Sequence, residues 1–430
     1  MSHSLSKKFT FGSLLMFAMP TTVMMVVMSL YTIVDGVFVS RFVSTNALSS
    51  INIVYPIINI VLGLSVMLST GSSAIVAKKM GEGRPDSARG TFTMIIMLNI
   101  AAGLVIAILG NLFATPLSLL LGSSEVLLKD CVTYLRWQLA FAPALMLQIQ
   151  FQMYFVTEGR PGIGLFLTLL AGVTNAVLDY VLIVPMGLGI AGAAIATVTG
   201  YMIPAVIGLV YFSYARSSLW LVRPRMEKGE LKDTCINGSS EMVTNLSSGI
   251  ITFLFNLAMM HFAGEDGVAA ITIIQYSQFL LNALFMGFSQ GVSPVISFNY
   301  GSRNQEQLRQ VFKTSLIFTL VTSAATFLLA QLGGSFVVGI FAEPGSPVYG
   351  LARHGFTIFA SALFTALSDG RISAVISFVR TFGLIITSLM VLPFLIGVDG
   401  VWLAIPIAEL GGLLLSIHYM RKYRSTYHYA

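Results

Sequence analysis

INIVYPIINIVLGLSVMLSTGSSAIVAKKMGEGRPDSARGTF at 51–92 and ITIIQYSQFLLNALFMGFSQGVSPVISFNYGSRNQEQLRQVF at 271–312 are one pattern written twice, 220 residues apart. Nine positions agree without a gap: Ile51/Ile271, Ile53/Ile273, Leu64/Leu284, Ser69/Ser289, Gly71/Gly291, Ser73/Ser293, Gly81/Gly301, Arg89/Arg309 and Phe92/Phe312. Chance in this composition gives about three. In each copy a long apolar run leads into a short polar stretch that carries glycine. A run of about 20 apolar residues is the length that crosses a bilayer as helix, so the repeat is a membrane helix and its exit. A second block, offset by 208, pairs Pro185 with Pro393, Gly189 with Gly397, Gly192 with Gly400 and Ala196 with Ala404. The chain therefore reads as two related halves.

Composition agrees. Hydrophobic residues make up 56% of the 430 and charged residues 10%, with a mean hydropathy of +0.84. A soluble domain cannot hide that much apolar surface in one core, whereas lipid accepts it without one. By the same length rule twelve spans are expected: 11–39, 51–77, 90–114, 132–156, 162–184, 190–213, 236–262, 270–298, 313–341, 353–369, 373–395 and 400–420. The first is too long for a signal-peptide core and lacks a cleavage site, so it is expected to remain as a helix. The fold class expected is an all-α polytopic membrane protein, with twelve transmembrane helices in two pseudo-symmetric six-helix lobes. Residues 1–213 form the first lobe, 214–235 a basic linker, and 236–430 the second.

Charge sets the orientation. With the N-terminus in the cytoplasm, 19 Lys and Arg fall in inside segments and four, Arg41, Lys129, Arg136 and Arg353, fall outside, while Arg380 lies within a helix. This is the asymmetry of the positive-inside rule. The expected location is the plasma (inner) membrane with both termini cytoplasmic. Trp137, Trp220 and Trp402 fall at expected helix ends, as interfacial rings do. Cys131 and Cys235 then lie on opposite sides, which excludes a disulfide between them. The net charge of +6 is scattered over loops with no basic stripe, so nucleic acid is not an expected partner.

Each ionisable group within the bilayer needs a reason, because it costs about 2.5–3.5 kcal/mol on insertion scales. Asp35 and Asp179 make the best-founded site. Asn175, four residues before Asp179, shares its helix face. Counting at about 1.5 Å per residue from the outer turns places Asp35, Asp179 and Thr197 at one depth, roughly 9–12 Å below the surface. Two carboxylates, an amide and a hydroxyl suit a hard cation such as sodium, or one shared proton. The bland alternative is that each acid only bonds a neighbouring helix. Under the 208 offset the second half has Thr387 and Gly383 opposite Asp179 and Asn175, so the site is expected once. For Glu241 a capping or snorkelling role competes with a cavity role; Glu409 has no evident partner and reads as structural.

Neutral polar residues trace stripes at helical spacing: Asn52, Tyr55 and Asn59; Gln148 and Gln152; Gln275, Gln278 and Asn282. They read as the wall of a wet substrate cavity, against the alternative of plain interhelical hydrogen bonds. Pro20 removes a backbone bond from the helix that carries Asp35 and is a hinge or a static bend. GEGRP at 81–85 lacks the Lys-Ser/Thr of a phosphate loop, and neither HExxH nor GxSxG occurs. No enzyme and no cofactor is expected.

MPTTVMMVVMSLYTIVDGVFV (19–39), NAVLDYVLI (175–183), NGSSEMVTNLS (237–247), AGEDGVAA (263–270) and the doubled stretches ending GSSAIVAKKMGEGR and GVSPVISFNYGSRN complete the pattern. Over essentially its full length the chain resembles the multidrug and toxic compound extrusion family, within it the MepA-like branch. The resemblance implies two six-helix lobes in a V, exporting drugs or metabolites against a proton or sodium gradient. It also implies a first-lobe cation site at Asp35, Asn175, Asp179 and Thr197 and a kink at Pro20. The family's helix-7 acid is matched at best by Glu241, and no helix-10 acid is evident, since Asp369 lies at an inner helix end. The function expected is a secondary antiporter for amphipathic organic cations, H+ or Na+ being the coupling ion. A flippase for lipid-linked precursors is the alternative. Its partners would be the small-molecule substrate and membrane lipid, and it is expected to act as a monomer.

Overall fold

The computed structural model describes residues 4–214, 217–341, 344–359 and 378–422, and among these every regular element is helical. In chain order they are α1 (Phe11–Phe38), α2 (Thr45–Gly81), α3 (Pro85–Leu112), α4 (Ala114–Leu120), α5 (Glu125–Ala140), α6 (Ala142–Thr157), α7 (Pro161–Ile183), α8 (Gly189–Tyr214), α9 (Glu230–Gly301), α10 (Gln305–Phe341), α11 (Pro347–Phe359), α12 (Ile386–Ile396) and α13 (Val398–Lys422). π-Helical turns follow α1 at Val39–Val43 and precede α12 at Val379–Ile385.

Local chemistry explains the boundaries. Thr10 and Ser13 form a reciprocal capping box at the start of α1, and the Ser44 hydroxyl accepts from Ala47 N at 3.0 Å to start α2. The Gly-Arg-Pro triplets at 83–85 and 159–161 do one job twice. Gly83 (φ 73°) and Gly159 (φ 84°) take the left-handed conformation after one helix, and Pro85 and Pro161 open the next.

Among the described residues eight helices are long and apolar enough to cross a membrane, and a ninth if α5 and α6, bent by 54° at their junction, count as one broken span. That bend divides the expected 132–156 helix. The expected pair 236–262 and 270–298 is two helices that meet at a kink at Gly264 (φ 63°, ψ −153°), together covering Glu230–Gly301. The expected tenth helix is described only through Phe359; its remainder and the start of the eleventh lie outside the described residues.

Apolar side chains cover the outside. Leu112, Phe166, Leu332, Phe336 and Phe394 are each more than 60% exposed. A soluble protein avoids such patches, whereas a lipid-facing surface needs them. Buried hydrogen-bonding groups instead fill the interior of the first lobe, where Tyr154 Oη donates to Ser72 Oγ at 2.8 Å and Ser73 Oγ meets Thr157 Oγ1 at 2.8 Å. Nearby, Asn99 Nδ2 donates to Gln150 Oε1.

Two compact units emerge, Met1–Met242 with Met286–Gln307, and Val243–Phe285 with Leu308–Ala430. The stretch read as a linker belongs to the first unit and is pinned to it. Arg225 N donates to Gly90 O at 3.2 Å, Val222 N to Thr93 Oγ1 at 3.1 Å, and Arg89 stacks on Trp220 at 3.4 Å. Lys79, 5% exposed, pairs with Glu230 and lies 3.6 Å from Glu227. The expectation for the tryptophans needs correcting. Trp220 packs in this linker, and Trp402 is fully buried in the second unit's core, under Gly355, where an added Cβ would lie 2.7 Å from the indole. Only Trp137 is a half-buried helix-end ring, stacked on Phe141.

Candidate functional site

α7 and α8 are joined by a tight reversal in which Leu188 N donates to Leu182 O at 3.0 Å and Gly187 and Gly189 take φ of 64° and 56°. A Cβ on Gly192 would lie 3.1 Å from Leu182, so the two helices leave the turn in backbone contact. That contact sets Asn175 opposite Gly200, with 3.6 Å between the Asn175 Cβ and a Cβ built on the glycine. α1 lies along α7 on the other side, where Tyr31 faces Gly172 at 3.8 Å by the same measure. Three helices thus bring Asp35, Asn175, Asp179 and Thr197 into one neighbourhood of the first unit.

Their burial differs. Asp179 is completely buried, Asn175 is 3% and Thr197 6% exposed, and Asp35 is half-buried with its Oδ1 enclosed. Both Asp179 oxygens, Asp35 Oδ1 and Asn175 Nδ2 have no hydrogen-bond partner in the protein. The two carboxyl groups are within hydrogen-bonding reach of each other. Two acceptors cannot bond without something positive between them. A pair of bare carboxylates would also repel in a medium that screens poorly. A shared proton or a small cation between them would relieve that repulsion. Thr197 Oγ1 spends its own proton on Ala193 O at 2.9 Å, which leaves it an acceptor.

Tyrosines surround the pair, and sequence reading missed them. Tyr31, Tyr134 and Tyr201 all lie close to Asp35. A small cavity beside the acids is lined by Tyr31, Gln148, Thr168, Asn175, Thr197 and Tyr201. The signal was available: Tyr31 is four residues before Asp35, and Tyr201 four after Thr197, so each shares its helix face.

The residues expected to wall the substrate cavity are divided between the two units. Gln148 faces the small cavity, and Gln152, also buried, donates to Thr168 Oγ1 at 3.0 Å. Asn52 and Tyr55 are exposed and Asn59 half-buried on α2. In the second unit Gln275 and Gln278 are half-buried and Asn282 exposed on α9. α1 runs without a break through Pro20. Glu409, read from sequence as lacking a partner, meets Arg380 Nη1 at 3.3 Å, while Glu241 is half-buried. Asp369 lies outside the described residues. Cys131 is buried and Cys235 half-buried, and both are free.

The MatE family model matches residues 20–181 and 242–398. The multidrug export protein MepA of Staphylococcus saprophyticus is 23% identical over 94% of this chain and 92% of its own length. MepA of Staphylococcus aureus strain bovine RF122 is 22% identical over 93% and 91%. Among solved structures, the outward-facing conformation of a multidrug resistance MATE family transporter of the MOP superfamily superposes with a TM-score of 0.90 at 20% identity, covering 98% of each chain. With most of its length matched by the family model and its apolar helices built to span a bilayer, this chain belongs to the MatE family and is an integral membrane transporter, not an enzyme.

Proposed function

We propose that the protein is a secondary antiporter of the plasma membrane that exports amphipathic organic cations in exchange for H+ or Na+, with its termini in the cytoplasm. The observation that carries this reading is the pair Asp35–Asp179, in which Asp35 Oδ1 and both Asp179 oxygens are enclosed with no donor from the protein. Binding of the coupling ion there, together with Asn175 and Thr197, satisfies them. Substrate and ion then favour opposite-facing states, the differential affinity that exchange requires. Pro20, which leaves Met16 O without its usual donor, would let α1 bend as the site fills. The exposed or half-buried polar residues Asn52, Tyr55, Asn59, Gln275, Gln278 and Asn282 offer amide and aromatic contacts to the cargo. The relatives named as multidrug export proteins support the substrate class. The flippase reading gains nothing, because Arg380 is paired with Glu409 rather than free to hold a pyrophosphate. We propose a monomer as the working unit.

Counterflow of ethidium in proteoliposomes under imposed gradients tests the assignment. Uptake driven by one gradient, proton or sodium, and abolished when it is dissipated is expected. Dye flux indifferent to both gradients would refute ion coupling.

A further inference from the structure

The sequence repeat of 51–92 and 271–312 has a structural counterpart at one end of the first unit. There α2 crosses the far end of α9 so closely that a Cβ on Gly81 would lie 2.0 Å from Phe298 O. A Cβ on Gly301 would lie 2.1 Å from Lys78 O. Gly81 and Gly301 are separated by the repeat offset of 220, and so are Lys78 and Phe298. The contact is therefore pseudo-symmetric with itself. A second pair of crossings flanks it. Gly71 and Gly238 bring α2 onto the near end of α9, where their added Cβ atoms would lie 2.0 Å from Thr234 O and Met67 O. Gly287 and Gly291 bring the far end of α9 onto α1, at 2.5 Å from Thr22 Cα and 3.0 Å from Ala18 Cα. Gly71 and Gly291, and Ala18 and Gly238, again differ by 220.

Side chains essentially never approach backbone this closely, so any residue larger than glycine forces these helices apart. Contacts of this kind rest on dispersion and weak Cα–H···O bonds. They can be broken and remade without taking charges in and out of water, unlike an ion-pair latch. Lys78, Lys79 and Arg84 place the crossings at the basic end of the helices, which the proposed orientation puts in the cytoplasm. A tie lies just beyond, where Phe9 N donates to Gln307 Oε1 at 2.7 Å.

We propose that these glycine crossings are the cytoplasmic closure of the transport cycle, with Gly81 and Gly301 at its centre, and that inward opening is their parting. This goes beyond the antiport reading: it needs alternation between two open states but no particular ion or cargo.

Cys235 is a native reporter. It follows Thr234 at the Gly71 crossing and is half-buried against the first unit's core. In full-length protein carrying Cys131→Ala, alkylation of Cys235 by an impermeant maleimide is timed in inside-out vesicles. Gly71→Ala, Gly81→Ala and Gly301→Ala should each raise the rate about tenfold or more, whereas Gly12→Ala, with nothing within 4 Å of its Cβ, should not. The same glycine variants carrying Cys235→Ala report on buried Cys131, which should keep its parent rate. An unchanged Cys235 rate in the glycine variants would overturn the closure. So would a parallel rise at Cys131, which signals unfolding rather than opening. Acceleration confined to right-side-out vesicles would support the closure and overturn only the orientation.

Discussion

Replacing Asp179 with asparagine separates an ion site from a structural acid, because the two roles predict opposite changes in stability. Asp179 is completely buried and neither of its oxygens meets a donor from the protein. As a structural acid it would need such donors, and losing one from a buried charged group costs about 1.5–3 kcal/mol. Nothing of that kind is present to lose, so Asp179→Asn should leave the melting temperature of the empty protein unchanged or raise it. The ion should suffer instead. A unit charge at about 4 Å from a carboxylate gains about 4 kcal/mol at an effective dielectric near 20. An amide keeps an oxygen for coordination but forfeits most of that, so ion affinity should fall by roughly 100- to 1000-fold, at 1.4 kcal/mol per factor of ten. Asp35→Asn should behave alike, and the double variant little worse than either, since the pair holds one ion. The assay is gradient-driven ethidium transport in proteoliposomes, with thermal unfolding of the same preparations followed by tryptophan fluorescence. Transport within about threefold of wild type, or a melting point lowered by more than about 5 °C, would refute the reasoning.

Two further outcomes follow from the basic end of the first unit, where Lys79 and Arg84 lie. Lys79 and Glu230 form a buried ion pair with side chains 6% and 10% exposed, so Lys79→Met should destabilise by about 3 kcal/mol and speed tryptic cutting after Arg225. Lys79→Met with Glu230→Gln should recover part of that loss, and a double-mutant cycle with no coupling would contradict the pairing. Glu158, at the end of α6, is 2% exposed and takes a hydrogen bond from Ser217, and burial raises its carboxyl above the usual range. The folded state then holds the proton more tightly than the unfolded state. Wild type should therefore lose stability relative to Glu158→Gln as pH rises from the ordinary glutamate range through the raised folded value. Melting curves of the two proteins that stay parallel across that window would show the burial to be without consequence.

Depth along a helix was legible from the sequence because it is one-dimensional. Counting residues from Pro185, Gly189 and Arg41 needs only the helical rise, and Asp35, Asn175, Asp179 and Thr197 do meet within one neighbourhood. Rotation about the helix axis is another matter. Gln148 and Gln152 occupy one face of α6, but whether that face looks into the lobe or towards a cavity depends on the bend at Phe141, which no local signal marks. The same limit hid the tyrosines, whose spacing from the acids was right but whose ring positions depend on neighbouring helices.

Glycine shows where such limits can be passed. Apolar residues along α2 and α9 exchange freely, since lipid and core accept Ile, Leu, Val or Phe almost alike. At Gly71, Gly81 and Gly301 a backbone carbonyl occupies the space of a side chain, and at Gly291 an added Cβ would press on Ala18 at 3.0 Å. An identity that persists between two halves at a glycine is therefore a statement about backbone distance, whereas one at Ile51/Ile271 is compatible with mere hydrophobicity. The buried pairs Asn99–Gln150 and Tyr154–Ser72 carry no such mark, because each joins polar residues of two different helices that have no identical counterpart 220 residues on. Their meeting follows only once those glycines and Gly-Pro turns have set the crossings, which is why the polar interior of the first lobe is a product of the fold rather than a pattern along the chain.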